Sequence, residues 1–232
     1  MNSERPPVLA HERFVAERDS FAGLDLAARF DRIAEINLWG ATTSVSGLGS
    51  EDRATAAIRQ ALPALLLRLG IHSLLDAPCG DAGWIGACNL AADYIGIDIV
   101  PSLIAANIQR VETGQLAGRF VAADITRDAL PCADLILCRD CLVHLSYSNI
   151  DRAIARFRAS GARWLLTTTF PEWRENLDCE DGDWRALNLQ KAPFDWPAPL
   201  ELVNERCDEG GGAWQDKSLG LWRLADIPER TA

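Results

Sequence analysis

The sequence predicts an α/β fold: a doubly wound, seven-stranded, mostly parallel sheet with a C-terminal antiparallel hairpin, preceded by N-terminal helices. Three observations predict it. Between residues 71 and 169, short apolar runs alternate with helical runs, the pattern of βαβ units whose parallel sheet is covered on both faces. Right-handed crossovers between such units favour a doubly wound topology. After residue 199, a glycine-rich connection without a helix joins the last two apolar runs, which indicates an antiparallel pair at the sheet edge.

Residues 1–70 are expected to form an arm and a helical cap, and residues 71–232 the sheet domain. The polar, proline-containing start is predicted to be a loose arm, and helical spacing follows at residues 25–38. A loop rich in glycine, serine and threonine then leads to a second helix, with an N-cap at Ser50 and a kink or break at Pro63.

The sheet domain is predicted to contain five strands before the hairpin. In chain order they read HSLLDAP, DYIGIDI, GRFVAAD, ADLILCR and ARWLLTTTF. The helical segments read AGWIGACNLA, then PSLIAANIQRVETGQL with Pro101 at a favoured first position, then SNIDRAIARFRAS with Ser148 as its cap. The closing hairpin is formed by LELVNERC and SLGLWRLADI.

Composition narrows the class of protein. A formal net charge of −10 and a pI near 4.8 argue against a nucleic-acid partner, which usually requires a basic face. The sequence has no run of 18 apolar residues and no leader-like start, so a cytoplasmic protein without a membrane partner is expected. Seven cysteines follow no regular framework and are expected to be free thiols. The lone C-x-x-C pair, Cys138 and Cys141, lacks the further ligands of a zinc site, so no metal is expected.

Acidic residues follow three successive predicted strands: Asp76, Asp98 and Asp124. Ligands of open α/β sheets bind outside the carboxyl ends of the strands, and Asp98 lies about 20 residues after Asp76, a spacing suited to a carboxylate that binds ribose hydroxyls. Gly80 in the first turn lets a ligand approach the backbone. The alternative for each acid is a helix N-cap or a turn. A dehydrogenase-type dinucleotide site is disfavoured, because the turn lacks the G-x-G-x-x-G triplet.

Four segments carry a resemblance to a known family: LLDAPCGDAGW, YIGIDIV, FVAADIT and DLILCRDCLVHLS. From residue 71 to 226 the sequence resembles the class I S-adenosylmethionine (SAM)-dependent methyltransferases, and it is similar to a bacterial subgroup with the LDAPCGD motif. The family's usual D-x-G-x-G-x-G motif differs at two positions, where Pro78 and Ala82 stand in place of glycines.

The resemblance implies a Rossmann-like methyltransferase fold with SAM as cofactor. It also implies a set of cofactor-binding residues, ordered from the methionine end through ribose and adenine to the sulfonium side: Asp76, Ala77, Gly80 and Trp84; Asp98 and Ile99; Asp124 and Ile125; Cys138 and Arg139. The loop before the second helix offers two more. Trp39 would close over SAM, and Ser50, at a helix N-terminus, would meet the SAM carboxylate. The alternative is an interhelix loop with a capping serine.

Methyl transfer from a sulfonium is an in-line displacement that depends on positioning, and a hydroxyl acceptor also needs a base. Of the three histidines, His144 alone follows strand four at the ligand edge, so it is the candidate base, with a packing or capping role as the alternative. Asp140 shares a helix face with His144 if residues 140–145 are helical. Asp140 would then orient the imidazole, or both would bind a divalent cation, as in ubiquinone-biosynthesis O-methyltransferases. Val143 stands where those enzymes carry a second acid, which disfavours the metal.

The segment from residue 170 to 199 is too long and too rich in tryptophan for a simple connector. It is predicted to form a substrate-binding lid after strand five, with Trp173, Asn176, Trp184 and Asn188 in contact with the acceptor. The alternative is a loop that packs its own aromatic residues against the sheet edge.

These features predict a SAM-dependent methyltransferase that acts on a small molecule, with a hydroxyl oxygen favoured over nitrogen as the acceptor. The competing class is a non-catalytic, SAM-binding regulatory module. A nucleic-acid methyltransferase is disfavoured by the acidic charge and because no N-P-P-Y type motif follows strand four. The exposed edge of the hairpin would allow a homodimer.

Overall fold

The computed structural model describes residues 5–230. Its strands are β1 (Ser73–Asp76), β2 (Asp93–Asp98), β3 (Arg119–Ala122), β4 (Leu135–Cys138), β5 (Trp164–Thr169), β6 (Glu201–Asn204) and β7 (Ser218–Arg223). They form one sheet in the order β3-β2-β1-β4-β5-β7-β6. β1 to β5 run parallel, whereas β7 lies antiparallel between β5 and β6. The predicted fold class is confirmed, with β3 and β6 as the two edge strands.

Helices cover both faces of this sheet. The longer ones are α1 (Leu9–Glu17), α2 (Leu26–Glu35), α3 (Asp52–Leu69), α4 (Pro101–Glu112) and α5 (Tyr147–Ala159). Single helical turns lie at Arg18–Phe21, Leu48–Ser50, Ile85–Ala87, Leu142–His144, Glu209–Gly212 and Leu224–Asp226. None of the helices within residues 5–230 is long and apolar enough to cross a membrane.

Neighbouring residues of the buried strands point to opposite faces, and each face has its own core. In β1, Leu75 packs in the core that contains Phe157 of α5, whereas Leu74 packs in the core that contains Leu62 of α3 and Ile104 of α4. Because both faces are covered, β1, β4 and β5 are buried at almost every position, and their apolar residues occur in runs rather than at alternate positions. This explains why continuous apolar runs marked these strands in the sequence.

The N-terminal segment differs from the expected loose arm. Residues 9–17 form α1, whose Phe14 is buried and stacks on Phe21 with ring centroids 5.1 Å apart. Val8 is also buried, in the core that contains α5. The prediction of a loose arm was therefore wrong for residues 8–13, because buried apolar side chains anchor a segment that is otherwise polar.

Helix boundaries differ from the sequence predictions at three places. α3 begins after Glu51 rather than at a Ser50 cap, and it continues through Pro63 without a break. The N-cap of α5 is Ser146, whose side chain accepts from the Asn149 amide, and not Ser148. The segment after β1, expected to be a helix, contains only the turn Ile85–Ala87.

Candidate functional site

A cavity opens at the carboxyl ends of β1, β2 and β4, and we call it the first cavity. Its empty volume, including the opening, is about 950 Å³, at the upper end of the range of small-ligand sites. Leu26, Phe30 and Ile33 of α2 contribute apolar lining. Ten of the predicted cofactor-binding residues line it: Trp39, Ser50, Asp76, Gly80, Trp84, Asp98, Ile99, Asp124, Ile125 and Arg139. The remaining two, Ala77 and Cys138, are fully buried in the core and do not line it.

Asp98, at the end of β2, is held by the backbone around it. One carboxylate oxygen accepts a hydrogen bond from the Gly80 amide and the other from the Val100 amide, each at 2.9 Å. Burial raises the pKa of Asp98 to about 6, although these hydrogen bonds oppose the rise. Each carboxylate oxygen has further lone pairs, so Asp98 can still accept hydrogen bonds from the hydroxyls of a ligand.

Asp76, at the end of β1, accepts a hydrogen bond of 2.7 Å from the Tyr94 hydroxyl. Burial raises the pKa of Asp76 to about 7, while the hydrogen bond from Tyr94 and the charge of Arg139 oppose that rise. An ammonium group beside the carboxylate would favour its ionised form. Asp76 is therefore a buried acid that a cationic part of a ligand can ionise.

Asp124 has two roles at the end of β3. Its Oδ1 accepts hydrogen bonds from the amide and the hydroxyl of Thr126, at 2.8 and 2.7 Å, which is the turn role considered as an alternative for each acid. The same residue lines the first cavity together with Ile125. The local turn thus fixes a carboxylate that also faces the ligand space.

The loop between α2 and α3 is fastened to the turn after β1. Ser46 Oγ accepts a hydrogen bond of 3.0 Å from the Asp81 amide. A side-chain carbon on Gly80, whose φ is +54°, would lie 2.1 Å from that same oxygen. Only glycine therefore permits this close approach, which places Trp39, Ser46 and Ser50 around the first cavity.

Asp140 belongs to a group of charged residues that we call the charge cluster: Arg139, Asp140, Glu205 and Lys217. Lys217 Nζ lies 2.6 Å from Asp140 Oδ2 and 3.5 Å from Glu205 Oε2. Arg139 lies 3.3 Å from Asp140 Oδ2 and 2.5 Å from Glu205 Oε2. Burial disfavours the charge on Asp140, but Lys217 and Arg139 outweigh it and hold the pKa of Asp140 well below its usual range. Asp140 is a fixed negative charge rather than a proton acceptor.

His144 lies in the turn Leu142–His144 and does not share a helix face with Asp140, which has φ +51° and precedes that turn. The imidazole is oriented by the backbone carbonyl of Asp183, 2.8 Å from Nδ1. Because a carbonyl only accepts, Nδ1 carries the proton and Nε2 has the lone pair. Burial lowers the pKa of His144 to about 4, so the ring is neutral at physiological pH. The ring also packs on Trp39, with centroids 4.6 Å apart.

A second cavity of about 560 Å³, including its opening, adjoins the first. Four residues line both cavities: Trp39, Ser46, Asp140 and His144. These residues form a shared wall between the two cavities. The site therefore has two adjoining compartments. The strand-end acids line the first, and the second lies on the other side of Asp140 and His144.

The predicted lid residues separate into two groups. Trp184 lines the second cavity. Asn176 and Asn188 are buried and fold the segment: the Asn176 side-chain amide donates to the Asn188 carbonyl, and that of Asn188 donates to the Trp173 carbonyl, each at 2.9 Å. Trp173 packs against Trp214, with centroids 5.7 Å apart, and lines neither cavity. The packing alternative thus describes three of these four residues.

Sequence reasoning missed several residues of the second cavity. Lys217 and Trp214 come from the connection between β6 and β7, which the sequence marked only as a glycine-rich link. Phe170 follows β5 directly and was absorbed into its apolar run. The one signal in the sequence was Lys217, directly before the apolar run SLGLW. A lysine next to a buried strand usually has a charged partner, so this position pointed to a buried ion pair.

The cysteines and acids in the described part of the chain are not grouped as metal ligands. All seven cysteines are free. Within residues 5–230, no group of three or more His, Cys, Asp or Glu side chains is placed to hold a metal ion. A hydrogen bond with the Cys138 side chain and burial raise the pKa of Cys141 well above its usual range, so this thiol stays protonated.

Solved structures resemble this fold at low sequence identity. The N-methyltransferase NodS from Bradyrhizobium japonicum WM9 is 18% identical with a TM-score of 0.55, covering 78% of this chain and 100% of that chain. The methyltransferase domain of bacterial CtHen1-C is 13% identical with a TM-score of 0.52, covering 74% of this chain and 98% of that chain. The fold is therefore that of the Rossmann-like methyltransferases.

NodS has also been solved in complex with S-adenosyl-L-homocysteine, at 18% identity and a TM-score of 0.47, covering 63% of this chain and 74% of that chain. The chain spans 59% of the length of the PH0226 protein from Pyrococcus horikoshii OT3, with 51% of this chain covered, at 15% identity and a TM-score of 0.44. No protein-family model and no curated protein matches the sequence.

Proposed function

We propose that this protein is a SAM-dependent methyltransferase that binds SAM in the first cavity and a small-molecule acceptor in the second. The observation that carries the proposal is the pair of adjoining cavities. The strand-end acids line the first cavity, and the wall it shares with the second contains Asp140 and His144. A methyl group has to pass between two bound molecules, and this arrangement supports that transfer.

Bound in the first cavity, SAM supplies an electrophilic methyl group on a positively charged sulfur. Asp98 would accept hydrogen bonds from the ribose hydroxyls, and Asp76 would pair with the ammonium group of the methionine end. Ile99 and Ile125 would flank the adenine. Gly80 carries no side chain, which lets Ser46 and its loop close on the methionine side of the cavity.

The shared wall would perform the chemistry. Asp140 would place its negative charge near the sulfonium, because Lys217 keeps it ionised. His144 Nε2 would accept the proton that the acceptor loses, since Nδ1 is committed to the Asp183 carbonyl. A hydroxyl acceptor is the expectation from the sequence, with nitrogen as the alternative. Both use the same geometry of in-line attack.

Calorimetry with SAM, followed by an assay for S-adenosylhomocysteine with small-molecule acceptors, tests this proposal. Asp98→Asn should weaken SAM binding about tenfold or more, the effect of removing a hydrogen bond to a charged group. Asp93→Asn is the matched control, because Asp93 is exposed at the opposite end of the same strand. SAM binding without product for any acceptor would favour the regulatory module instead. An absence of SAM binding would reject both functions.

A further inference from the structure

The second cavity is walled by three aromatic rings that are nearly perpendicular to one another. Phe170 and Trp184 meet at 85°, Phe170 and Trp214 at 80°, and Trp184 and Trp214 at 79°, with centroids 4.9 to 5.8 Å apart. The Arg5 guanidinium already lies 5.1 Å from the Trp214 ring, neutralised by Asp216 at 2.5 Å. Aromatic faces attract cations and repel anions. The walls of this cavity therefore favour a cationic or neutral occupant.

The charges around the second cavity point in the same direction. Asp140, Glu209 and Lys217 line it, and Glu205 and Arg139 complete the charge cluster behind it. Three carboxylates thus face two cations. Within residues 5–230, Glu209 has no ion-pair or side-chain hydrogen-bond partner, unlike the other four residues. Burial raises the pKa of Glu209 above its usual range, and the charge of Lys217 opposes that rise only in part.

His144 limits which nucleophile the shared wall can serve. Its neutral Nε2 has a low basicity, because burial favours the uncharged ring. An ammonium also has to lose a proton before it attacks, but its pKa of about 10 leaves a small fraction of neutral amine near pH 7, which attacks with its own lone pair. An aliphatic alcohol loses its proton only to a strong base. A phenolate or carboxylate would need no base either, but its negative charge would meet Glu209 and the aromatic faces. Nitrogen is the nucleophile that satisfies all three conditions.

We infer that the methyl acceptor is a small primary or secondary amine, which enters the second cavity as an ammonium ion between the aromatic walls and Glu209. This inference rests on the proposed function. The ammonium loses one proton to solvent. The nitrogen lone pair then forms the N–C bond as the C–S bond breaks, and the electron pair of that bond stays on sulfur. The products are the methylated amine, S-adenosylhomocysteine and one proton.

An isosteric charge series tests the recognition directly. Benzylamine, benzyl alcohol and benzoate share a ring and differ in charge at about pH 7. Binding to the protein saturated with S-adenosylhomocysteine, followed by tryptophan fluorescence, should rank the ammonium first and the carboxylate last. Equal binding of all three compounds, or a preference for benzoate, would overturn the inference. Incubation with SAM and both the amine and the alcohol, followed by mass spectrometry, should place the methyl group on nitrogen. Methyl transfer to the alcohol in preference to the amine would also overturn it.

Two pairs of variants locate the effect in the cavity. Glu209→Gln should weaken benzylamine binding about fivefold and leave benzyl alcohol binding unchanged. Asp208→Asn, at an exposed neighbour that pairs with Arg53, should change neither. Trp184→Leu should weaken benzylamine binding about 2- to 30-fold, the effect of one cation–π contact, and Trp173→Leu should not. If Glu209→Gln leaves the preference for the ammonium intact, the inference fails. Calorimetry with SAM alone reports on the proposed function separately, because that ligand uses the other cavity.

Discussion

Replacing Asp76 by asparagine should make the ligand-free protein more stable at neutral and alkaline pH. The carboxyl of Asp76 is 3% exposed, and burial raises its pKa from an ordinary value of 3.8 to about 7. A pKa difference of one corresponds to about 1.4 kcal/mol. Keeping the ionised carboxylate in this site therefore costs about 4 kcal/mol above pH 7, as an upper estimate. Asparagine avoids that cost and still accepts the hydrogen bond from Tyr94.

The pH dependence gives this prediction its sign. Below about pH 4, Asp76 is protonated in both the folded and the unfolded chain, so the substitution removes no ionisation cost. As the pH rises through 7, the wild-type protein loses the stability of the protonated acid, and the variant does not. For a chain of this size, each kcal/mol of unfolding free energy shifts the melting temperature by about 2–4 °C. We therefore expect Asp76→Asn to melt about 5–15 °C higher at pH 8, with little difference at pH 4.

Thermal melts followed by circular dichroism at several pH values, without ligand, measure this difference. Asp93→Asn, at an exposed acid on β2, is the control for the loss of one negative charge. The reasoning would be refuted by an Asp76→Asn variant that is no more stable at pH 8 than at pH 4 relative to the wild-type protein. Burial also raises the pKa of Asp98, to about 6, so the stability of both proteins falls with rising pH by a smaller amount from this residue.

Three further predictions concern the ligand and the shared wall. SAM affinity should rise between pH 5 and 8, because the ammonium group of the ligand favours ionised Asp76. Calorimetry in buffers of different ionisation enthalpy should detect the proton released on binding. Asp76→Asn should abolish this proton release. His144→Ala should lower kcat about 10²–10⁴-fold for a hydroxyl acceptor and less for an amine, and wild-type kcat/KM should show no imidazole titration above pH 5. Full activity of the variant with a hydroxyl acceptor would remove the assigned role. Lys217→Met should destabilise the protein by about 3–5 kcal/mol in denaturant unfolding, since it leaves Asp140 and Glu205 with one cation, and adding Asp140→Asn should restore part of that loss.

The sheet could be predicted from the sequence because its signals are local. Continuous apolar runs such as LILC in β4 are buried on both faces, and the strand-end acids Asp76, Asp98 and Asp124 recur at the same edge. The N-terminal arm was mispredicted because tertiary contacts hold it in place. Phe14 stacks on Phe21, and Arg5 forms an ion pair with Asp216, far along the chain. Sequence spacing carries no information about such contacts.

The first cavity was predictable for the same reason, since its residues follow strands of known order. The second cavity was not, because its lining comes from widely separated parts of the chain. Trp39 precedes the sheet domain, Phe170 and Trp184 follow β5, and Trp214 precedes β7. The asparagines of the lid segment show why a ligand contact cannot be inferred from residue type alone. Asn176 and Asn188 look like ligand-binding amides in the sequence, but each donates hydrogen bonds to backbone carbonyls of its own segment.

The residues after β4 show how burial divides the roles in one short segment. Asp140 and His144 looked like an acid that orients a base, yet the structure gives each a different partner. Asp140 is held ionised by Lys217, which comes from the hairpin, while His144 is held neutral by burial and oriented by the Asp183 carbonyl. A fixed anion and a neutral ring therefore meet in the wall between the two cavities. In the proposed reaction, the anion would stabilise a positively charged sulfonium on one side of the wall, and the lone pair of the ring would face the nucleophile on the other side. The two groups could take these separate roles because they are not paired with each other.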